Sequence, residues 1–171
     1  MLGRLEELSN LIGVSGDEGR VRRYIKAELA NIDGLEMKTD AMGNLIVHKA
    51  GKGPKVMVAA HMDEVGMIVI GALDNGLIAY GQRGIDPRVV VSKRVLVGDE
   101  MIEGVIGAKA IHLQTAADRK TVLGHSELFV DIGAKDKDAA LKYDKPSDRI
   151  VFATKIKRLD EKHELKKALN N

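Results

Sequence analysis

Residues 66–81 read GMIVIGALDNGLIAYG, two short apolar runs separated by the turn-forming residues 74–76. Asn-Gly between two such runs is a strong signal for a tight β-hairpin, because both residues tolerate positive φ. The stretch 91–107, VSKRVLVGDEMIEGVIG, repeats this pattern around residues 98–100. Two hairpins in succession predict that this part of the chain consists of antiparallel strands.

The pattern continues towards the C-terminus. Residues 127–134 and 148–159 have the composition of strands, the second with regular alternation of apolar and polar positions, and residues 136–143 have the composition of a short helix. Many short strands with tight turns are typical of a small barrel or a sandwich. We therefore expect a β-rich region over residues 67–158.

Towards the N-terminus the pattern is helical. Apolar residues recur at helical spacing within residues 1–13, and a second amphipathic helix is predicted over residues 15–32. Ser15 is a candidate N-cap for the second helix, and Glu18 would complete a capping box.

Three candidate strands follow these helices, at residues 35–40, 44–51 and 54–61. The dense apolar run VMVAA in the third predicts a strand covered on both faces. Helices followed by strands indicate an α/β layer that ends at His61, and the change in composition near Gly66 predicts a domain boundary.

Composition excludes several classes of function. The 171 residues are 44% hydrophobic and 30% charged, with only 3% aromatic residues and no tryptophan, so the core has to be aliphatic and a nucleic-acid reader with aromatic platforms is disfavoured. No cysteine is present, which excludes thiolate zinc sites and suits a reducing cytoplasm. The chain has no apolar run of about 18 residues and an acidic N-terminal segment, so we expect neither a membrane span nor a signal peptide.

The chemistry centres on His61, Asp63 and Glu64. Residues two apart in an extended segment project to the same side, so Asp63 can hold one ring nitrogen of His61 while the other binds a divalent metal. Glu64 could add an oxygen ligand or face water. Taken alone, the short His-x-Asp pattern is more often a histidine satisfied by its carboxylate neighbour, without a metal.

Six blocks extend the argument beyond this triplet. They are residues 13–22 (GVSGDEGRVR), 43–47 (GNLIV), 54–69 (PKVMVAAHMDEVGMIV), 84–98 (GIDPRVVVSKRVLVG), 104–113 (GVIGAKAIHL) and 128–134 (LFVDIGA). In this order they resemble the dinuclear-metal aminopeptidases, which include glutamyl and tetrahedral (TET) aminopeptidases and some relatives labelled endoglucanase or cellulase.

The resemblance implies a fold and a reaction. Residues 1–66 would form part of an α/β catalytic lobe, residues 67–158 a β-rich dimerisation domain, and residues 159–171 the return towards the lobe. The implied reaction is release of N-terminal residues from peptides by two metal ions, usually zinc or cobalt. His61 matches the first metal ligand, and Asp63 matches the catalytic-site aspartate that supports it.

The resemblance also marks departures. The family returns to its catalytic lobe through a Lys-Ala-Leu-Asp-Asp/Asn-Arg motif whose first aspartate bridges the metals, whereas residues 167–171 read KALNN. Asn170 thus stands at the position of the bridging ligand, without its negative charge. The Glu-Glu pair, a further carboxylate and a late histidine have no counterpart, so we expect a truncated relative that is inactive alone.

Two alternatives remain open from the sequence. The chain could be a non-catalytic oligomerisation or regulatory module that pairs with a full-length relative, or an enzyme whose missing ligands come from another chain. In each case we expect a homo-oligomer, a dimer or larger, because an incomplete catalytic sheet leaves the apolar run VMVAA at an unpaired edge.

Overall fold

The chain divides into two compact units, with the boundary between Glu64 and Val65. The computed structural model describes residues 2–116, 120–143, 145–158 and 164–165. We call the two parts the N-terminal unit (residues 2–64) and the barrel unit (from Val65 onward). The boundary lies beside Gly66, where the composition of the sequence changes.

The N-terminal unit contains two helices and one antiparallel hairpin. Its elements are α1 (Leu2–Asn10), α2 (Gly19–Leu29), β1 (Leu35–Thr39) and β2 (Leu45–Lys49). In the β1–β2 turn, the carboxylate of Asp40 accepts hydrogen bonds from the backbone N–H groups of Met42, at 3.0 Å, and Asn44, at 2.9 Å. The helices and this hairpin lie where the sequence pattern predicts them, although α2 is shorter than residues 15–32.

The third predicted strand of this unit is wrong. Residues 54–60 form no strand ladder, and the side chains of Val56, Met57 and Val58 are 84%, 89% and 90% exposed rather than covered on both faces. The α/β layer predicted to end at His61 is therefore limited to the β1–β2 hairpin and the two helices. An apolar run shows that a strand is possible, but a strand forms only where neighbouring backbone accepts its hydrogen bonds.

The barrel unit contains six strands that close into an antiparallel barrel. Its strands are β3 (Met67–Ala72), β4 (Ile78–Gln82), β5 (Arg94–Val97), β6 (Ile102–Ala108), β7 (Leu128–Asp131) and β8 (Arg149–Phe152). Their order around the barrel is β3-β4-β7-β6-β5-β8. Both predicted hairpins are confirmed as the pairs β3–β4 and β5–β6. A short helix, α3 (Lys137–Tyr143), follows β7 at the predicted place.

The barrel core is aliphatic, as the composition predicts, with one exception. Val95, Val97, Ile106 and Ile150 have no exposed surface. The exception is Tyr80, which is 6% exposed. Its ring is satisfied inside the unit, because its hydroxyl lies 3.0 Å from Nδ1 of His125 and the two rings meet edge to face.

The last predicted strand is interrupted. Residues 148–159 were expected to form one continuous strand, but β8 ends at Phe152. The backbone N–H of Ala153 still donates to Arg94, at 3.0 Å, and the chain then leaves the barrel. It forms a separate two-residue ladder between β9 (Lys157–Arg158) and β10 (Glu164–Leu165). The alternation of apolar and polar residues predicts that the chain is extended, but it does not predict where the chain changes from one strand partner to another.

Candidate functional site

The structure brings His61 and Asp63 into direct contact. Nδ1 of His61 lies 2.9 Å from Oδ1 of Asp63 and 3.0 Å from the backbone oxygen of the same residue. Both neighbours are hydrogen-bond acceptors, so in the neutral imidazole Nδ1 carries the ring proton and Nε2 carries the lone pair. That tautomer is the one a metal ligand needs, since a divalent cation binds the unprotonated nitrogen.

Asp63 is held from its other side by Ser15. The hydroxyl of Ser15 donates to Oδ2 of Asp63, so the two carboxylate oxygens are engaged by two different side chains. The hydrogen bond from Ser15, and then that from His61, lower the pKa of Asp63 below its ordinary value of 3.8, against the opposing effect of partial burial. Asp63 is therefore an ionised carboxylate at neutral pH, as an acceptor for His61 has to be.

The predicted role of Ser15 is wrong. Helix α2 begins at Gly19, its N-cap residue is Glu18, and no side chain caps it. The pattern Ser-x-x-Glu imitates a capping box, but Ser15 lies in a tight turn before the helix and points to Asp63. The carboxylate of Glu18 accepts from the backbone N–H of Gly16, at 2.6 Å, instead of from the predicted N-cap residue.

The segments that carry Ser15 and Asp63 are joined through their backbones. The N–H of Glu64 donates to the carbonyl of Gly13, at 2.7 Å, and Val14 and Glu64 form a parallel β-bridge. A Cβ at Gly13 would lie 2.6 Å from the side chain of Val21, so a larger residue here would have to displace Val21. Of the alternatives for Glu64, a fully solvent-facing carboxylate does not hold, because its Oε1 is buried.

The described residues do not form a complete metal site. In residues 2–116, 120–143, 145–158 and 164–165, no cluster of three or more His, Asp or Glu side chains is arranged to hold a metal ion. Asn170, the predicted counterpart of the bridging aspartate, lies outside the described residues.

Two other histidines, His48 and His125, make their contacts with residues outside this site. Nδ1 of His48 is 3.7 Å from the carboxylate of Glu36 across the β1–β2 hairpin. His125 is satisfied between the hydroxyl of Tyr80 and the carbonyl of Ile85, the latter at 2.8 Å. His48 thus lies at the surface, and His125 is packed against the ring of Tyr80.

The Gly- and charge-rich residues 81–88 form a turn. Asp86 caps the 3₁₀-helix Pro87–Val89 by accepting from the backbone N–H of Arg88, at 2.9 Å, and also pairs with its guanidinium. The hydrogen bonds from Arg88 lower the pKa of Asp86 to about 2. These contacts are those of a capped turn.

Sequence reasoning missed the contributions of Ser15 and Gly13. Asp63, the partner of Ser15, lies 48 positions away in the chain. The only local signal is Gly16, which has φ +84° and so marks a turn rather than the first turn of a helix.

A family model described as M42 glutamyl aminopeptidase matches residues 43–171. Lysyl aminopeptidase from Pyrococcus furiosus is 33% identical over 134 residues, which are 75% of this chain and 38% of that protein. Among the described residues, no helix is long and apolar enough to cross a bilayer.

Solved structures resemble the same part of larger chains. The TET1 peptidase of Pyrococcus horikoshii is 34% identical with a TM-score of 0.82, over 93% of this chain and 48% of that one. A Thermotoga maritima structure named endoglucanase is 34% identical with a TM-score of 0.74, over 91% and 46% of the two chains. The chain thus spans about half of the solved structures, and less of the curated relative. The mixed α/β structure and its barrel match this fold, and the chain belongs to the M42 glutamyl aminopeptidase family.

Proposed function

We propose that this chain contributes one metal ligand, Nε2 of His61, to a site that removes N-terminal residues from peptides. The observation that carries the proposal is the contact between Nδ1 of His61 and the carboxylate of Asp63. It fixes the proton on the nitrogen that faces away from a metal. His61 and Asp63 therefore fit the metal that the family implies, at this one ligand position.

A metal held at Nε2 of His61 would supply Lewis-acid chemistry, which activates a water and polarises the scissile carbonyl. The chain's own residues do the positioning. Asp63 holds the ring of His61 in one orientation and makes Nε2 more basic, an effect that is typical of carboxylates behind metal-bound histidines. The backbone pairing of Gly13 with Glu64 keeps residues 61–64 in place against the turn that carries Ser15.

We further propose that the 171 residues alone do not hydrolyse peptides. A catalytic zinc takes three protein ligands, and His61 is one. Asn170, at the bridging position, offers a neutral carbonyl oxygen where two dications require a carboxylate. Because no such ligand set is formed among the described residues, we propose that further ligands complete the site, with zinc or cobalt as the metals.

Self-association is part of the proposal. The Pyrococcus horikoshii relative is described as assembling into a tetrahedron or an octahedral shell. In this chain the barrel unit is the candidate dimerisation domain, and Val56, Met57 and Val58 offer an exposed apolar segment. We propose a homo-oligomer in the cytoplasm with peptides as substrates, and neither nucleic acid nor membrane as a partner.

The test follows the imidazole signals of the chain by NMR while Co²⁺ is added. We expect selective broadening of the His61 signal with weak affinity, because one imidazole supplies one ligand. His61→Ala should abolish the effect, whereas His48→Ala should not. His48 is a matched control, since it also has a carboxylate neighbour, although at 3.7 Å.

Stoichiometric zinc that survives dialysis in His61→Ala would overturn this assignment, because the ligands would then lie elsewhere.

A second measurement tests the claim about activity. Chromogenic aminoacyl substrates should stay intact when the chain is assayed alone with zinc or cobalt, and turnover that depends on His61 would show that these residues form a complete site.

A further inference from the structure

The hydroxyl of Ser15 is hydrogen-bonded to the carboxylate oxygen of Asp63 that does not contact Nδ1 of His61. The hydroxyl donates to Oδ2, while Nδ1 of His61 is 2.9 Å from Oδ1. We propose that Ser15 is a positioning residue of the metal-ligand site, which orients the carboxylate of Asp63 and through it selects the Nδ1–H tautomer of His61. This inference rests on the proposed role of His61.

The proposal follows from the freedom of an aspartate side chain. The terminal torsion of Asp is broad, so a carboxylate held at one oxygen can turn away from its partner. The side chain of Asp63 is 35% exposed, so water competes for both oxygens. A second donor at Oδ2 fixes the plane of the carboxylate and keeps Oδ1 aligned with His61.

The hydroxyl of Ser15 is itself held by backbone geometry that is independent of His61. Residues 14–17 form a β-turn in which the N–H of Asp17 donates to the carbonyl of Val14, at 2.8 Å. Gly16 provides the positive φ of +84° that this turn requires at its third position. The carboxylate of Glu18 accepts from the N–H of Gly16 and closes the turn further. Ser15 is thus presented to Asp63 by a preformed turn.

A structural role as helix cap does not explain the contact. Helix α2 begins at Gly19 and its N-cap position is taken by Glu18. Ser15 is exposed, so its side chain does not fill a core position either. What its hydroxyl contacts is the carboxylate that supports the metal ligand.

The test measures the tautomer of His61 directly, by long-range ¹H–¹⁵N NMR of the neutral imidazole. In the unchanged chain we expect a protonated Nδ1 and an unprotonated Nε2. Ser15→Ala should introduce a measurable fraction of the Nε2–H tautomer, because the carboxylate is no longer oriented and only the backbone oxygen of Asp63, at 3.0 Å, still favours a proton on Nδ1. The pair Ser15→Thr and Ser15→Val, similar in shape but different in the hydroxyl, should separate: Thr restores the Nδ1–H form and Val does not.

Controls keep the result specific. Ser126→Ala removes an exposed serine of the barrel unit and should leave His61 unchanged. Circular dichroism establishes that each variant is folded, and the Thr–Val comparison remains informative if the alanine variant does not fold. A purely structural role would change the melting curve without changing the tautomer.

Retention of a pure Nδ1–H tautomer in both folded Ser15→Ala and Ser15→Val would overturn the proposal.

Failure of the positioning role is distinguishable from failure of the proposed function. If Ser15 controls the tautomer but Co²⁺ does not affect His61, the positioning stands and the metal-ligand role is wrong. If Co²⁺ broadens His61 equally in all Ser15 variants, the ligand role stands and the positioning is wrong. Where both hold, the loss of affinity in Ser15→Ala should be smaller than the roughly 10- to 100-fold loss typical when the supporting carboxylate itself is changed.

Discussion

The two units of the chain differ in how their strands end. In the barrel unit each of the six strands has a neighbour on both sides, so the sheet closes on itself and has no edge. Among the described residues of the N-terminal unit, β1 and β2 pair only with each other, and the apolar residues 56–58 lie exposed. Closure is the way in which a β-structure removes unpaired edges. The closed barrel and the part that carries the candidate site are therefore different regions.

The buried side chains show the same contrast. The barrel unit contains a contiguous core whose central residues, such as Ile106 and Ile150, have no exposed surface. In the N-terminal unit the buried apolar residues are Val14 and Val21, which lie beside the turn of Ser15. Burial in this unit thus supports the candidate site, whereas the hairpin β1–β2 remains largely exposed.

The largest effect is expected from removing barrel core volume. Ile106→Ala should lower the free energy of unfolding by about 2–5 kcal/mol, because it removes buried methyl groups and leaves a cavity. The same change at Ile46, which is 50% exposed in β2, should cost less than about 1 kcal/mol. Chemical denaturation followed by circular dichroism measures both. Equal losses would show that the N-terminal unit is packed as tightly as the barrel, which would break the comparison.

A smaller effect is expected on self-association. Val58→Lys places a charge in the exposed apolar segment and should weaken the association constant by about tenfold, which corresponds to about 1.4 kcal/mol. Met42→Lys is the control, since Met42 is an exposed apolar residue of the N-terminal unit outside this segment, at 89%. Light scattering over a range of concentrations measures the association of both variants. A stable monomer at tens of micromolar in the unchanged chain would show that residues 56–58 do not mediate self-association.

Local signals account for the parts of the fold that the sequence predicts well. The hairpin β3–β4 follows from residues 74–76, where Gly76 adopts φ +83° and its N–H donates to the carbonyl of Leu73, at 2.9 Å. A turn depends on a few neighbouring residues, and its chemistry can be deduced from them. The aliphatic core follows from composition, since few aromatic residues are present to fill it.

Long-range pairing accounts for what the sequence does not predict. The run VMVAA has the composition of a buried strand, but its burial depends on neighbours that no local pattern specifies. Ser15 and Glu18 have the spacing of a capping box, but the partner of Ser15 is Asp63, far along the chain. For the candidate site, the residue types His61 and Asp63 could be chosen from the sequence and the family resemblance, whereas the turn that orients them required the structure.

The smallest predicted effect lies in the contact between the two helices of the N-terminal unit. The hydroxyl of Tyr24 on α2 donates to the carboxylate of Glu7 on α1, at 2.5 Å. This hydrogen bond, with lesser contributions from burial and from the charge of Glu28, raises the pKa of Tyr24 from 10.0 to about 12. Because the pKa in the folded state is above that of the unfolded chain, the contribution of this contact to stability is complete below pH 10 and is lost as the pH rises through about 12.

Tyrosinate absorbance during an alkaline titration measures this shift, and Tyr24→Phe identifies the contribution of Tyr24 among the three tyrosines of the chain. Glu7→Gln should move the midpoint of Tyr24 down towards 10, because the charged acceptor is removed, whereas Glu6→Gln on the same helix should not. Neither change should alter the unfolding midpoint of the barrel unit if the two units are stabilised independently. A barrel midpoint that moved with Glu7→Gln would show that the exposed α1–α2 contact stabilises the whole chain, and the contrast between a closed barrel and a separately stabilised N-terminal unit would then be wrong.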